Sequence, residues 1–285
     1  MINRALLGSV LLLAIPWLAL AQTQPVAFDG VGQWKGSLAS SDSTSLKSWY
    51  STDPPANFVA KGQTPVPDIS PEIEFWRNLV SSGMTGFEVS TVEEQDQQGL
   101  HFVSLEVSMK TQTANGPRTR YVTEQQAWQR QGEVWRIVIA GHSDVVKMRP
   151  ALKRNPNLYD KNADARAEIK EAVARAAKNH RRVILVFGGN WCYDCHVLDQ
   201  AFHQDDVAPL VAKNFQVVHV DIGDDGKKNN DVAAEYQTPL NKGVPVLAIL
   251  GPDGKLLYSQ QNGEWESARS LDPDDVIAFL NKWKH

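Results

Sequence analysis

The period of the apolar positions changes along the chain. Trp34 and Leu38 lie four apart, a helical spacing, and Leu46, Trp49 and Tyr50 predict a second short helix with Asp42 placed to cap it. After the proline-rich loop "STDPPANFVAKGQTPVPDISP", Ile73, Trp76, Leu79 and Val80 predict a third helix ending near Gly83. The period then falls to two. Phe87, Val89 and Thr91 alternate, the polar stretch "EEQDQQG" is expected to turn, and Val103, Leu105, Val107 and Met109 share one face of the next run. "TANGPR" leads to a third strand through Tyr121 and Trp128, and "RQGE" to a fourth, "VWRIVIAGHS". Short strands joined by tight turns predict an antiparallel meander curled around the preceding helices.

Residues 148–162, "MRPALKRNPNLYDKN", carry two prolines and no periodicity, and read as a linker. Helix and strand alternate beyond them. Ala165, Ile169, Ala172, Val173 and Ala176 form a helical stripe, with Asp164 near its start. "RVILVFGG" is a continuous apolar run of the kind buried on both faces of a sheet, and "FQVVHVDIG" reads as a second. Between them, Val197, Leu198, Ala201 and Phe202 mark one helix, and Val207, Leu210 and Val211 another. A further helix is expected near Asp231–Tyr236, then a hairpin from "VPVLAIL" through "GPDG" to "KLLYSQQ". In the last helix Asp272 is the expected N-cap, Pro273 fits the first helical position, and Val276, Phe279, Leu280 and Trp283 lie along one side. This order is a βαβ unit followed by a ββα unit on one mixed sheet.

With 285 residues, 42% of them hydrophobic, the chain can fill one large core or two ordinary ones. A formal charge of −4, with no run of like charges, supplies no case for nucleic acid as a partner. Arg4, the uncharged stretch from Ala5 to Leu20, and the small residues of Ala19-Leu20-Ala21 predict a cleaved secretory signal over residues 1–21. Pro16 interrupts that stretch, which is short for a membrane span. Export, to the periplasm or beyond, is the expectation.

The cysteines, Cys192 and Cys195, stand together in "FGGNWCYDCH". Three chemistries use such a stretch: a dithiol–disulfide couple, covalent haem attachment, or half of a zinc site. Haem finds the C-x-x-C-H pattern, but a buried strand runs straight into it and all four methionines precede it. Zinc lacks a second cysteine pair or an H-x3-5-H partner. No metal and no cofactor is therefore expected. A structural staple across two residues would close too small a loop to constrain the unfolded chain much. The redox couple fits best: a thiol at a helix N-terminus meets unpaired N–H groups, which can lower its pKa from about 8.5 to between about 3.5 and 7.5. Cys192 is then the exposed nucleophile and Cys195 the resolving thiol.

Trp191, Cys192 and Cys195, with "GVPVLAIL" about fifty residues on, make residues 163–285 resemble the thioredoxin-like fold family. The resemblance implies an α/β domain with a mixed central sheet and flanking helices, and a cis-proline at Pro245 beside the active site. It also implies substrate contacts at Trp191 and Val244, and protein or peptide thiols and disulfides as partners, with a separate redox partner recycling the couple. Two departures stand out. Val186 occupies the position of the family's buried aspartate, and Val217 that of its partner lysine. Asp194, read as a solvated acid at the helix start, would oppose thiolate formation and favour a reductase or isomerase over a strong oxidant. His196, if protonated, would pull the other way; otherwise it is a surface histidine. Gly188-Gly189 lacks the phosphate-loop pattern and reads as a close backbone approach.

Residues 28–147 resemble the nuclear-transport-factor-2-like, or ketosteroid-isomerase-like, α+β cone fold through "WKGSLASSDSTSLKSWYS", "EFWRNLV" and "EVWRIVIAGHSDV". That resemblance implies a pocket and a homodimer through this domain. His101 and Tyr121 are candidates there by residue type alone, and His142 and His180 are expected to be structural or solvated. The combined expectation is an exported thiol–disulfide oxidoreductase, against the alternative of a ligand- or partner-binding protein with a structural disulfide.

Overall fold

The computed structural model describes residues 28–39 and 43–284. The expected signal over 1–21, and Asp42 as a cap, lie outside the described residues. No described helix is long and apolar enough to cross a membrane.

The first half is a curved sheet closed over helices α1 (Gly30–Ala39), α2 (Ser43–Lys47) and α3 (Ser70–Ser81). Strands β2 (Thr85–Gln97), β3 (Leu100–Thr113), β4 (Gly116–Gln131) and β5 (Val134–His142) form the antiparallel meander. The short β1 (Asn57–Phe58) adds to β5 in parallel, giving the order β1-β5-β4-β3-β2. Alternation places Val103, Leu105, Val107 and Met109 of β3 on the helix side, where they pack with Trp34, Trp76 and Trp128. Register shifts within β2–β3 and β4–β5 supply the bends that curl the sheet.

Two local expectations need correction. "EEQDQQG" is not a seven-residue turn: β2 continues to Gln97, and the chain reverses at Gln98 and Gly99, with φ of 52° and 78°. Polar side chains there belong to a strand whose outer face meets solvent. The second helix stops at Lys47, and Tyr50 instead bridges to Ile137 of β5.

The second half is a four-stranded sheet in the order β7-β6-β8-β9. Strands β6 (Arg182–Gly188) and β7 (Phe215–Asp221) are parallel; β8 (Val246–Leu250) and β9 (Leu256–Ser259) complete it antiparallel. Helices α4 (Ala165–Asn179) and α7 (Asn230–Glu235) cover one face. The other is covered by α5 (Tyr193–Phe202), α6 (Ala208–Asn214) and α8 (Pro273–Trp283). Asp164 caps α4 by accepting from the Arg166 and Ala167 amides, and Asp272 and Asp275 make a reciprocal capping box at α8. β6 and β8 are buried almost throughout, as two-sided strands must be. β7 is an edge strand with Gln216, Val217 and His219 only half-buried, which corrects its reading as a second fully buried strand.

Residues 148–162 have no regular structure and are mostly exposed, but Met148, Ala151 and Tyr159 anchor them. Met148 and Ala151 join the core beneath α5 and α8, and Tyr159 packs against both cysteines. Charged pairs tie the halves together, Arg118 with Asp274 and Lys147 with Asp272, while Arg149 of the connecting segment pairs with Glu106 of the cone.

Candidate redox site

Buried β6 carries the chain to Gly188, and a short turn through Trp191 leads to the start of α5. Cys192 is the N-cap of α5, its backbone extended and its sulfur accepting from the Cys195 amide at 3.1 Å. Cys192 and Cys195 are joined by a disulfide, with Cα atoms 5.3 Å apart. The Val244–Pro245 peptide is cis, and the Val244 carbonyl oxygen lies 3.6 Å from Cys192 Sγ. The strand–helix junction and the loop before β8 thus bring together Cys192, Cys195, Val244 and Pro245. Cys192 is 5% exposed and Cys195 not at all, so Cys192 is less open than a freely exposed nucleophile, though more so than its partner. Trp191 is 48% exposed, held by its indole N–H donating to the Gly223 carbonyl at 3.0 Å, and offers a flat apolar surface beside the disulfide.

The paired glycines give the backbone its close approach. A Cβ on Gly188 would come within 2.5 Å of both Cys195 Sγ and the Tyr159 hydroxyl, and one on Gly189 within 2.6 Å of the Trp191 indole nitrogen.

Asp194 and His196 differ from their expected surroundings. Asp194 is not a solvated acid: it is buried, accepts from the Arg269 backbone amide at 2.9 Å, and is clasped by the Arg269 guanidinium through Nε and Nη2. Its charge is met there, so it cannot act on the thiols as a bare carboxylate. Arg269 also lies over the Tyr193 ring. His196 is not on the surface either. It is 3% exposed, with Nε2 2.9 Å from the Asn190 carbonyl oxygen, which ties the ring to backbone rather than to sulfur.

Val186 and Val217 leave the sheet without an ionisable group at the two family positions. Tyr159 comes nearest to replacing one. Its hydroxyl is buried beside Cys195 and has no hydrogen-bond partner. Burial, reinforced by Asp199 and Asp221, pushes this phenol far above its usual range, so it stays protonated and keeps an O–H to donate. The Asn190 side chain holds Tyr159 in place, accepting from its amide at 2.9 Å and donating to its carbonyl at 2.8 Å. No helical or strand period marks Tyr159; its one sequence signal is an aromatic residue in an otherwise polar segment.

In the first half, His101 and Tyr121 are not brought together. His101 is 2.8 Å from Asp96, while Tyr121 faces Ser108 in the ladder, its phenol pushed up to about 12, chiefly by burial. The structure instead assembles Glu72, Glu124 and His142 inside the cone. A 290 Å³ cavity lined by Tyr193, Val197 and Arg269 on one side and Lys61, Thr123 and Ser143 on the other sets the cone beside α5.

A disulfide at a helix N-terminus beneath a cis-proline loop, on a β7-β6-β8-β9 sheet, defines the second half as a thioredoxin-like domain, preceded by an α+β cone. Residues 164–252 match the family model described as thioredoxin-like. Over 118 residues the chain is 26% identical to the thiol:disulfide interchange protein DsbD of Pseudomonas fluorescens, a match spanning 41% of this chain and 18% of that protein. A disulphide isomerase structure from Xylella fastidiosa is 34% identical, covering 44% of this chain and 95% of its own, with a TM-score of 0.42. An NTF2-like protein from Rhodospirillum rubrum, of unknown function in nutrient uptake, is 15% identical over 40% of this chain and 93% of its own, with a TM-score of 0.30.

Proposed function

We propose that this protein is an exported thiol–disulfide oxidoreductase acting on protein or peptide substrates, as a reductase or isomerase rather than a strong oxidant. The observation that carries the reading is the Cys192 sulfur at the start of α5, held by the Cys195 amide and facing the Val244 carbonyl. A thiolate on Cys192 attacks a substrate disulfide sulfur, releasing one substrate thiolate and forming a mixed disulfide. Cys195 then attacks Cys192 Sγ, and the second substrate sulfur leaves with the electron pair. The substrate is reduced by two electrons and the enzyme oxidised to the Cys192–Cys195 disulfide. An external dithiol donor returns it to the reduced form. The interchange activity in the name of the DsbD relative supports the same chemistry.

The preference for reduction rests on how little supports the Cys192 thiolate. It has the helix N-terminus and one amide, while His196 is tied to Asn190 and Arg269 to Asp194. A strong oxidant needs a far more stabilised thiolate. Equilibration of the mature protein with thiol buffers, read by mass after alkylation, is expected to give a potential more negative than about −180 mV. A value near about −120 mV would overturn the reductase assignment. Cys192→Ser is expected to abolish disulfide reduction, and Cys195→Ser to accumulate a mixed disulfide with substrate. The low exposure of Cys192 favours one alternative, a binding protein with a structural disulfide. Full reducing activity in Cys192→Ser would overturn the role of Cys192, and no trapped species in Cys195→Ser, with no reduction by the unaltered protein, would decide for that alternative.

A further inference from the structure

Two carboxylates share the interior of the cone. Glu72, in the first turn of α3, and Glu124, on β4, are both 0% exposed. Cross-strand pairing sets His142, the last residue of β5, directly opposite Glu124. The ring of His142 stacks on Phe75 with centroids 3.5 Å apart, and its Nδ1 lies 2.6 Å from Glu72 Oε2. One ligand-type atom from each of Glu72, Glu124 and His142 lies within 4.8 Å of the other two.

These groups are oriented from behind. Trp76 Nε1 donates to Glu72 Oε1, and Gln126 Nε2 donates to Glu124 Oε1 at 3.2 Å while Gln126 Oε1 accepts from Trp128 Nε1 at 2.9 Å. Each carboxylate is gripped through one oxygen, leaving the other for the shared centre. There Glu124 Oε2 is buried without a hydrogen-bond partner. The Tyr50 hydroxyl, on a side chain 2% exposed, is likewise unpartnered and lies in the field of both carboxylates. Among the described residues, neither carboxylate pairs with a lysine or arginine; the ion pair made here is Glu72 with His142. Two ionised carboxylates buried against one imidazole would leave negative charge for a cation or a proton to neutralise.

We propose that Glu72, Glu124 and His142 bind one divalent first-row transition-metal cation, with the Tyr50 hydroxyl facing the site. The donor set, two carboxylate oxygens and one imidazole nitrogen, suits Zn²⁺ or Mn²⁺. Bonds of about 2 Å to a common ion bring such donors within about 4 Å of one another, close to the spacing already present. The outer hydrogen bonds from Trp76 and Gln126 are the supports that metal-bound carboxylates ordinarily have. The rival neutraliser is a proton shared between the two carboxyl groups.

The test uses the full mature chain, fully oxidised so that the cysteines cannot contribute. It is stripped with chelator, then titrated separately with Zn²⁺ and Mn²⁺, with bound metal counted after gel filtration and thermal unfolding followed in parallel. One equivalent of at least one cation, with a metal-dependent rise in Tm, is expected. Glu124→Gln keeps the shape and the Gln126 contact, and should weaken binding about 100-fold; His142→Ala should do the same. Sub-stoichiometric binding of both cations overturns the proposal, as does unchanged affinity in both variants. So does a Glu124→Gln protein that is equally or more stable with no metal dependence, the signature of a shared proton. Thiol–disulfide exchange at Cys192 is a separate readout that none of these outcomes moves.

Discussion

Tyr159 keeps its O–H to donate, because burial holds its phenol protonated in this setting. Beside a Cys195 thiolate the hydroxyl gains the charged acceptor it lacks beside a disulfide. A hydrogen bond to a charged group contributes about 1.5–3 kcal/mol, or about one to two pKa units. Tyr159→Phe should therefore raise the pH midpoint for alkylation of Cys195, measured with Cys192 replaced by Ser, by about one unit. Folding stability should hardly change, since the hydroxyl has no partner to lose. An unmoved midpoint would reduce Tyr159 to packing. Cys192 and Cys195 were legible in the sequence because they are neighbours there as well as in space. Tyr159 was not, because a strap without periodicity delivers it. Asp194 looked solvated for a similar reason: Arg269 lies 75 residues further on. Glu72, Glu124 and His142 come from a helix and two strands, and only the β4–β5 register brings the last two face to face.

Among the elements, α8 was the most plainly marked, with Asp272 and Pro273 at its start. Asp272 also reaches Lys147 in the other half, so one side chain serves both a helix end and a contact between halves. Asp272→Ala should cost about 1 kcal/mol through the lost cap, the exposed ion pair adding little, and lower Tm by a few degrees in a thermal melt. Asp272→Asn, which keeps the cap, should recover most of it; no recovery would mean the Lys147 contact dominates. Where element boundaries strayed from the sequence pattern, solvent was the cause. The outer faces of β2 and of edge strand β7 carry residues that composition assigns to turns or to a core. Hydrophobic period locates the face an element buries, not how far the element runs beyond it.

Taken whole, the halves meet through acids of α8 and bases of the cone. Arg118, then Asn115, holds the Asp274 carboxyl below its usual range. Burial works the other way on Asp272, but Lys147 and the Asp274 amide outweigh it. Depressed carboxyl pKa values stabilise docking above the free value of about 4 and lose that contribution as pH falls through the lower, docked values. Acidification below about pH 4 should loosen the pairing before either sheet melts, seen as an increase in radius of gyration by small-angle scattering with far-ultraviolet circular dichroism unchanged. Constant dimensions to pH 3 would assign docking to apolar contacts instead. The two-part plan, cone then thioredoxin-like domain, could be read from the change of hydrophobic period; the attachment between them could not, because residues 148–162 show no pattern. That attachment decides where the protein can be divided. A fragment starting at residue 163 would keep every helix and strand of the second sheet, yet it would lack Met148, Ala151 and Tyr159. Its disulfide would have a hole beside it where the phenol stood, so the smallest self-sufficient piece of the second half begins inside what looks like its spacer.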